Sequence, residues 1–171
     1  MSGATVNASG IGVLLAVAEA LRDHRTRLPV VLLAFGAEEP RGHGDAHHHY
    51  GSRAYVASLT RAERRSLRGM LALDRVGVGD VVPVGSTGDP DVQPDPLHAE
   101  LLRAARRAGV PTVTDPLQRS SDHWSFVRAG LPGVRLGSTP YAGYHSAQDL
   151  PSVVDPRQLE RTARLVVEWL R

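Results

Sequence analysis

Short apolar runs alternate with helical segments along this chain, and that alternation limits the fold more than any other feature. The run 28–35 is short and continuously apolar, which is typical of a central parallel strand. Four further strands are predicted, at 68–74, 80–86, 111–115 and 131–137. We place the second of these at a sheet edge because Pro83 cannot donate to a ladder. The sequence predicts an α/β fold, with a mostly parallel mixed sheet and helices on both faces.

Capping residues mark the starts of the predicted helices. Asn7 precedes an apolar helical pattern, and Thr60 with Glu63 has the spacing of a capping box. Asp95 and Asp155 are each followed by proline, which is favoured at the first helical position. Shorter helices are predicted at 51–59 and 120–130. Helices therefore fill most of the chain between the strands.

The composition excludes several classes of function. No cysteine is present, so the chain has no disulfide, no thiolate zinc site and no cysteine nucleophile. All 20 basic residues are arginine, the net charge is only +2, and no basic patch typical of nucleic-acid binding is present. No apolar run approaches membrane-spanning length, and no secretory signal pattern begins the sequence. We expect a single domain over 1–171, cytoplasmic as the sequence stands, without nucleic-acid or membrane partners; the oligomeric state stays open.

Acidic side chains follow two of the predicted strands. Glu38 and Glu39 come just after the run 28–35, Asp74 ends the next strand, and His145 lies in the loop after the last one. The carboxyl ends of parallel strands meet at one edge of a sheet, where ligands bind. Carboxylate and imidazole ligands suit zinc, and an unliganded glutamate beside the ion can take a proton from water. The spacing alone leaves a second interpretation open, a solvated loop in which these glutamates pair with arginines.

Six motifs occur in a fixed order along the whole chain. They are VNASG (6–10), FGAEE (35–39), GSRAYV (51–56), LDRVG (73–77), SDHWSF (121–126) and YHSAQD (144–149). With these motifs the chain resembles the zinc aminopeptidases of the bacterial leucyl-aminopeptidase and aminopeptidase Y type. Each motif is weak alone, and their order with the right elements between them makes the resemblance specific.

The resemblance implies a role for each site residue. Glu38 matches the general base, Glu39 the adjacent zinc ligand, and Asp74 the carboxylate ligand of the other zinc. His145 matches the last histidine ligand, and Tyr144 the residue that helps to stabilise the tetrahedral intermediate. The implied reaction is removal of the amino-terminal residue of a peptide or aminoacyl substrate by metal-activated water, with two zinc ions in the family and one or two here.

Two departures from the family pattern stand at the start of the chain. Val6 occupies the position of the aspartate that bridges the two zinc ions, and valine offers no lone pair. The first histidine ligand would fall before Met1 by motif alignment, with the family's opening strands. A peptidase truncated at its amino terminus is therefore one expectation. The alternative is a catalytically impaired, peptidase-like binding domain.

Two further assignments concern the site's surroundings. A histidine-rich loop lies just after the glutamates, and any of four histidines could lend a ligand or hold only adventitious metal: His43, His47, His48 or His49. Asp122 matches the aspartate of the SD motif, and we interpret it as a helix cap and turn former.

Overall fold

The computed structural model describes residues 8–44, 47–89, 91–93 and 95–171. Its helices are α1 (Ser9–Arg22), α2 (Tyr50–Ser58), α3 (Arg61–Ser66), α4 (Pro96–Ala108), α5 (His123–Arg128) and α6 (Pro156–Leu170). Its strands are β1 (Met70–Asp74), β2 (Val82–Gly85), β3 (Thr112–Asp115) and β4 (Gly133–Gly137). A short 3-10 turn at Pro151–Val153 precedes α6.

The strands form one mixed sheet in the order β1-β4-β2-β3. β1 runs parallel to β4, and β2 runs parallel to β3. The two pairs meet where β2 lies antiparallel to β4, with Val84 opposite Leu136. The predicted α/β class with a mostly parallel mixed sheet is confirmed.

The run 28–35 is not part of this sheet, so the prediction of a central strand there is wrong. The structure assigns these residues neither helix nor strand, and Leu28 and Val31 are 52% and 70% exposed. β1 instead forms one edge of the sheet. A continuous apolar run predicts burial, but it becomes a strand only where a neighbouring strand accepts its backbone hydrogen bonds.

The edge position predicted for Pro83 is also wrong, because β2 lies inside the sheet between β4 and β3. Val82 donates its N–H to Pro111 and Ser86 donates to Asp115, so the even-numbered residues of β2 bond toward β3. Pro83, which lacks an N–H, therefore faces β4. The β2–β4 pairing begins only at Val84, so no ladder hydrogen bond is lost at the proline.

Three of the predicted helix starts, at Thr60, Asp95 and Asp155, are confirmed. Thr60 and Glu63 form both bonds of the capping box, and Asp95 and Asp155 accept hydrogen bonds from the first turns of α4 and α6. Asn7, like Val6, lies outside the described residues. Among the described helices, none is long and apolar enough to cross a membrane.

Two apolar clusters hold helices against opposite faces of the sheet. The larger joins α1, α4 and α6 to the sheet through side chains such as Val17, Leu101 and Leu165. The smaller joins α2 and α5 around Val56 and Phe126. β1 and β4 are parallel, so they end at the same rim of the sheet, and the loops that follow them begin there.

Candidate active site

The start of α1 packs tightly against the end of β1. The Ser9 hydroxyl accepts a hydrogen bond of 3.1 Å from the Val76 backbone N–H. A Cβ at Gly10 would lie 2.4 Å from the Leu73 carbonyl oxygen, so only glycine allows this approach. The SG pair of the first motif therefore fixes the helix beside Asp74, the last residue of β1.

A second close approach fixes Asp74 from the β4 side. Gly137 has a φ of 103°, and a Cβ there would lie 2.1 Å from the Asp74 carbonyl oxygen. This geometry lets Ser138 donate its backbone N–H to that oxygen at 2.7 Å and its hydroxyl to Asp74 Oδ2 at 3.2 Å. Arg75 Nε lies 3.7 Å from Asp74 Oδ1. The Asp74 carboxylate is thus buried and held by several contacts.

Residues with unfavourable backbone conformations surround the same rim. Ala37, Arg75, Ser138 and His145 all have positive φ values, between 52° and 67°. Each either carries or adjoins a side chain of the predicted site. Such conformations are disfavoured for residues with a Cβ and tend to persist where the surrounding structure fixes a functional geometry.

Glu38 lies in an acidic, poorly solvated environment. Burial is the main reason that its pKa is raised from 4.5 to about 8. The negative charges of three nearby carboxylates raise the pKa further: Asp74, Asp122 and Glu39. A hydrogen bond with Ser121 lowers it in part. Glu38 is therefore a carboxyl group that titrates close to neutral pH.

Asp122 belongs to this acidic cluster and does not cap a helix. It holds the N-cap position of α5, but its side chain forms no capping hydrogen bond, so the predicted capping role is wrong. Burial raises the pKa of its carboxyl group, as it does for Asp74. Its Oδ1 atom is buried and has no hydrogen-bond partner among the described residues. The carboxyl group forms a hydrogen bond with Ser52 of α2 and lies close enough to Asp74 for its charge to be felt.

Glu39 and His145 come together from distant parts of the chain. Glu39 Oε1 lies 3.2 Å from His145 Nε2. Both side chains are about half exposed, at 55% and 45%. The Tyr144 ring stacks on the His145 ring at 3.9 Å, and the Arg75 guanidinium lies 4.5 Å from the centre of the Tyr144 ring. Burial raises the pKa of the Tyr144 hydroxyl, so it remains a hydrogen-bond donor at neutral pH.

One pair of the predicted ligands, Glu39 and His145, has the spacing that a zinc ion requires. Two ligand atoms on a tetrahedral zinc with bonds of about 2.0 Å lie about 3.3 Å apart, which matches the Glu39–His145 separation. No three histidine, cysteine, aspartate or glutamate side chains among the described residues are grouped closely enough to hold a metal ion. Asp74 is therefore not grouped with Glu39 and His145.

The described histidines of the histidine-rich loop belong to no group of three ligand side chains. His48 and His49 place their rings 5.6 Å apart, yet they form no metal-binding group with an acidic side chain. The His47 side chain packs closely against Gly42, so it lies within the loop itself. Asp45 lies outside the described residues.

The site also contains residues that the sequence did not point to. Ser121 bonds to Glu38, Ser138 holds Asp74, and Arg75 stacks on Tyr144. Serine and arginine are common in loops, so composition gives no signal for them. Gly137, just before Ser138, was the one sequence feature that could have indicated the turn that positions Ser138, since glycine is favoured where the backbone needs a positive φ.

Comparisons with known proteins agree with this fold. The sequence profile of peptidase family M28 matches residues 1–170. No curated protein matches the chain. Among solved structures, a zinc aminopeptidase from Bacillus subtilis superposes with a TM-score of 0.82 at 25% identity, over 98% of this chain and 41% of its own.

Two structures from Bacteroides thetaiotaomicron share the fold at lower identity. One is a leucine aminopeptidase precursor, with a TM-score of 0.79, 21% identity, and coverage of 98% of this chain and 61% of its own. The other is a glutaminyl cyclase, with a TM-score of 0.77, 20% identity, and coverage of 98% and 62%. This chain therefore spans less than two thirds of each of these three structures.

Proposed function

The chain belongs to peptidase family M28, and on that basis we propose that it hydrolyses the amino-terminal peptide bond of peptides with zinc as cofactor. The observation that carries the proposal is the Glu39–His145 contact of 3.2 Å beside the partly buried Glu38. A pair of ligand atoms and an unliganded carboxyl group then lie at one rim. They supply two of the three protein ligands that a catalytic zinc ion usually has, together with a candidate base.

Glu38 is the proposed general base. A base works best when its pKa lies near the operating pH, and burial among carboxylates brings the pKa of Glu38 to about 8. A bound zinc ion, held by Glu39 and His145 with Asp74 as the further candidate ligand, would supply Lewis acidity and lower the pKa of water. Glu38 accepts the proton of the attacking water and then donates it to the leaving amine.

Tyr144 is the proposed donor to the developing oxyanion. Its ring is fixed between His145 and the Arg75 guanidinium, so the hydroxyl group is held at the rim beside the metal ligands. Its raised pKa keeps the proton on the oxygen. A donor that is fixed before the reaction stabilises the transition state at little reorganisation cost.

A peptide-binding domain that does not cleave its ligand is the second candidate. The favouring observation is that no three ligand side chains are grouped among the described residues. Val6, which lies outside them, cannot bridge two ions as aspartate does in the family. Such a domain would keep the rim and lose the hydrolysis.

Zinc content and hydrolysis of an aminoacyl-anilide distinguish the two candidates. The protein is stripped with chelator, reloaded with zinc and assayed. The peptidase proposal expects bound zinc and hydrolysis that is lost in Glu38→Gln but kept in Glu160→Gln, a matched control at an exposed helix position. Bound zinc without hydrolysis in the unmodified chain would favour the binding domain.

Two variants locate the metal. The triple variant His47→Ala, His48→Ala, His49→Ala should keep its zinc if the ion binds at Glu39 and His145. Loss of all zinc in that variant would assign the metal to the histidine-rich loop and contradict the proposal. Val6→Asp should raise zinc content if the rest of a dinuclear site is preserved.

A further inference from the structure

A cavity of about 390 Å³ adjoins the candidate active site. We call it the arginine pocket, after the two arginines among its lining residues, six of which are Arg75, Pro83, Asp115, Gln118, Arg135 and Tyr144. Its volume lies in the range of about 300–1,000 Å³ that is usual for small-molecule sites. The described residues that line it all lie within 75–144, so the loop after β1 and the strands β2 to β4 with their loops form its walls.

The alternation of side chains along β4 places Arg135 in this pocket. Val134 and Leu136, on either side of it, belong to the larger apolar cluster on one face of the sheet. Side chains alternate between faces along a strand, so Arg135 points to the opposite face. Gly85 of β2 lies opposite Arg135 in the ladder, and a Cβ there would lie 3.5 Å from Arg135 Nε. Because Gly85 has no side chain, the space beside the guanidinium stays open.

Arg135 brings a buried positive charge to the pocket. Its side chain is only 1% exposed, and it donates to Asp115 at 2.9 Å and to Ser120 at 2.7 Å. Its Nε atom is buried and has no hydrogen-bond partner among the described residues. Buried charges and unpartnered buried donors are both costly, so their occurrence together beside a cavity is typical of a ligand site.

Arg75 brings a second positive charge, at the side of the pocket next to the candidate metal ligands. Its ion pair with Asp74 joins Nε and Oδ1 at 3.7 Å, which is longer than a hydrogen bond. Its guanidinium lies over the Tyr144 ring at 4.5 Å, and its side chain forms no hydrogen bond to any described residue. Stacking on a ring leaves the N–H groups at the edge of the guanidinium available, so Arg75 can donate to a ligand.

The pocket carries a net positive charge. Among the described residues that line it, Arg75 and Arg135 are cationic and only Asp115 is anionic. Asp115 is already bonded to Arg135 and to Gln118, at 2.9 Å and 2.7 Å. Burial lowers the pKa of the Arg135 guanidinium, nearby carboxylates raise it, and the positive charge of Arg75 lowers it. The two cations are therefore close enough to repel each other, and an anionic ligand beside them would relieve that repulsion.

The pocket meets the candidate active site at two points. Arg75 lines the pocket and follows the candidate ligand Asp74 in the chain. Tyr144 lines it too, and its ring stacks on that of the candidate ligand His145. In the proposed reaction the scissile carbonyl belongs to the amino-terminal residue, whose side chain leaves from the carbon next to that carbonyl. A pocket beside the metal ligands therefore receives that side chain.

We propose that the arginine pocket binds the side-chain carboxylate of the substrate's amino-terminal residue, so that the preferred substrates are peptides that begin with glutamate or aspartate. This inference rests on the proposed hydrolysis, which fixes where the amino-terminal residue lies. Guanidinium groups form strong, charge-assisted hydrogen bonds with carboxylates. An uncharged side chain would leave those donors without a partner in the pocket, and this cost selects against it.

The first test compares two substrates that differ by one charge. Glutamyl anilide carries a carboxylate where glutaminyl anilide carries a neutral amide of nearly the same shape. With zinc-reloaded protein we expect kcat/KM to be roughly tenfold or more higher for the glutamyl substrate. Leucyl anilide gives the value for an apolar residue and should also be the poorer substrate.

Variants of Arg75 locate the effect. Arg75→Gln should lower the ratio of the two kcat/KM values toward one, and Arg75→Lys, which keeps the charge, should retain part of the ratio. The ratio is the readout because loss of the Tyr144 contact slows both substrates alike. Arg53→Gln is the matched control: Arg53 also stacks on a tyrosine, Tyr50, at 5.5 Å, but does not line the pocket, so the ratio should not change.

Binding of the free amino acids provides a readout that does not need hydrolysis. Glutamate and glutamine are titrated calorimetrically into zinc-reloaded protein, and glutamate should bind roughly tenfold more tightly. The difference should disappear in Arg75→Gln and remain in Arg53→Gln. Arg135 is buried, so it is followed by NMR instead of by mutation: glutamate should shift its Nε–H signal more than glutamine does.

Three results would overturn the inference. Equal kcat/KM values for the glutamyl and glutaminyl anilides would do so while leaving the proposed hydrolysis intact. Equal effects of Arg75→Gln and Arg53→Gln would place the selectivity outside the pocket. A preference for leucylglycine over its carboxyl-terminal amide, without a preference for the glutamyl anilide, would assign the pocket to the peptide's terminal carboxylate. Tighter binding of glutamate by a protein that hydrolyses no anilide would instead support the carboxylate site and contradict the proposed hydrolysis.

Discussion

His123 should make this protein unstable in mild acid. Its ring is fully buried, and its Nε2–H donates to the Gln118 carbonyl oxygen at 3.0 Å. Burial is the main reason that its pKa is lowered from 6.5 to about 4, and the positive charge of Arg135 lowers it further. The native ring therefore stays neutral between pH 6.5 and 4, where the ring in the unfolded chain binds a proton.

The sign of the effect follows from that difference. The unfolded state binds more protons than the native state below pH 6.5, so the free energy of unfolding falls as the pH falls toward 4. The shift of the pKa from 6.5 to about 4 corresponds to about 3 kcal/mol in total, of which about 2.5 kcal/mol is lost by pH 4.5.

Urea unfolding between pH 7 and 4.5 measures this loss by comparison with His123→Gln. The glutamine amide can still donate to Gln118 but does not titrate. We expect the free energy of unfolding of the unmodified protein to fall by about 2.5 kcal/mol more than that of the variant over this range. Other titrating groups cancel in the comparison. Parallel pH curves, or an NMR titration of the His123 ring near pH 6.5, would refute the reasoning.

Three further predictions concern packing, a buried charge and a helix cap. Gly137→Ala should lower the free energy of unfolding by more than about 3 kcal/mol, because the new Cβ meets the Asp74 carbonyl at 2.1 Å; Gly88→Ala, in open space, is the control in urea titrations. Asp115→Asn removes the ion pair of the buried Arg135 and should lower the free energy of unfolding by about 3 kcal/mol. Glu168→Gln breaks an exposed ion pair and should lower it by less than about 1 kcal/mol. Thr60→Ala removes the cap of α3 and should lower the free energy of unfolding by about 1 kcal/mol. Ser58→Ala should lower it no more than an ordinary surface substitution does. Equal costs within any of these pairs would contradict the assigned contact.

Local signals in the sequence predicted the elements well because their physical causes are local. Thr60 with Glu63 forms a capping box within one turn, and Asp95 followed by proline starts a helix wherever the chain places it. The strand order depends on distant residues. Pro83 suggested an edge because the sequence does not reveal that the β4 ladder starts one residue later.

Part of the site could be predicted from the rule that ligands bind beyond the carboxyl ends of parallel strands. Carboxyl ends of strands and the loops after them meet at one rim, and Glu39 and His145 do lie in contact there. The environment of each group was not predictable. Asp122 has the sequence of a helix cap, yet its carboxyl group lies among other acids, because burial and neighbours in space decide its bonding. Arg135 in a strand of apolar neighbours likewise gave no sign of its buried pair with Asp115.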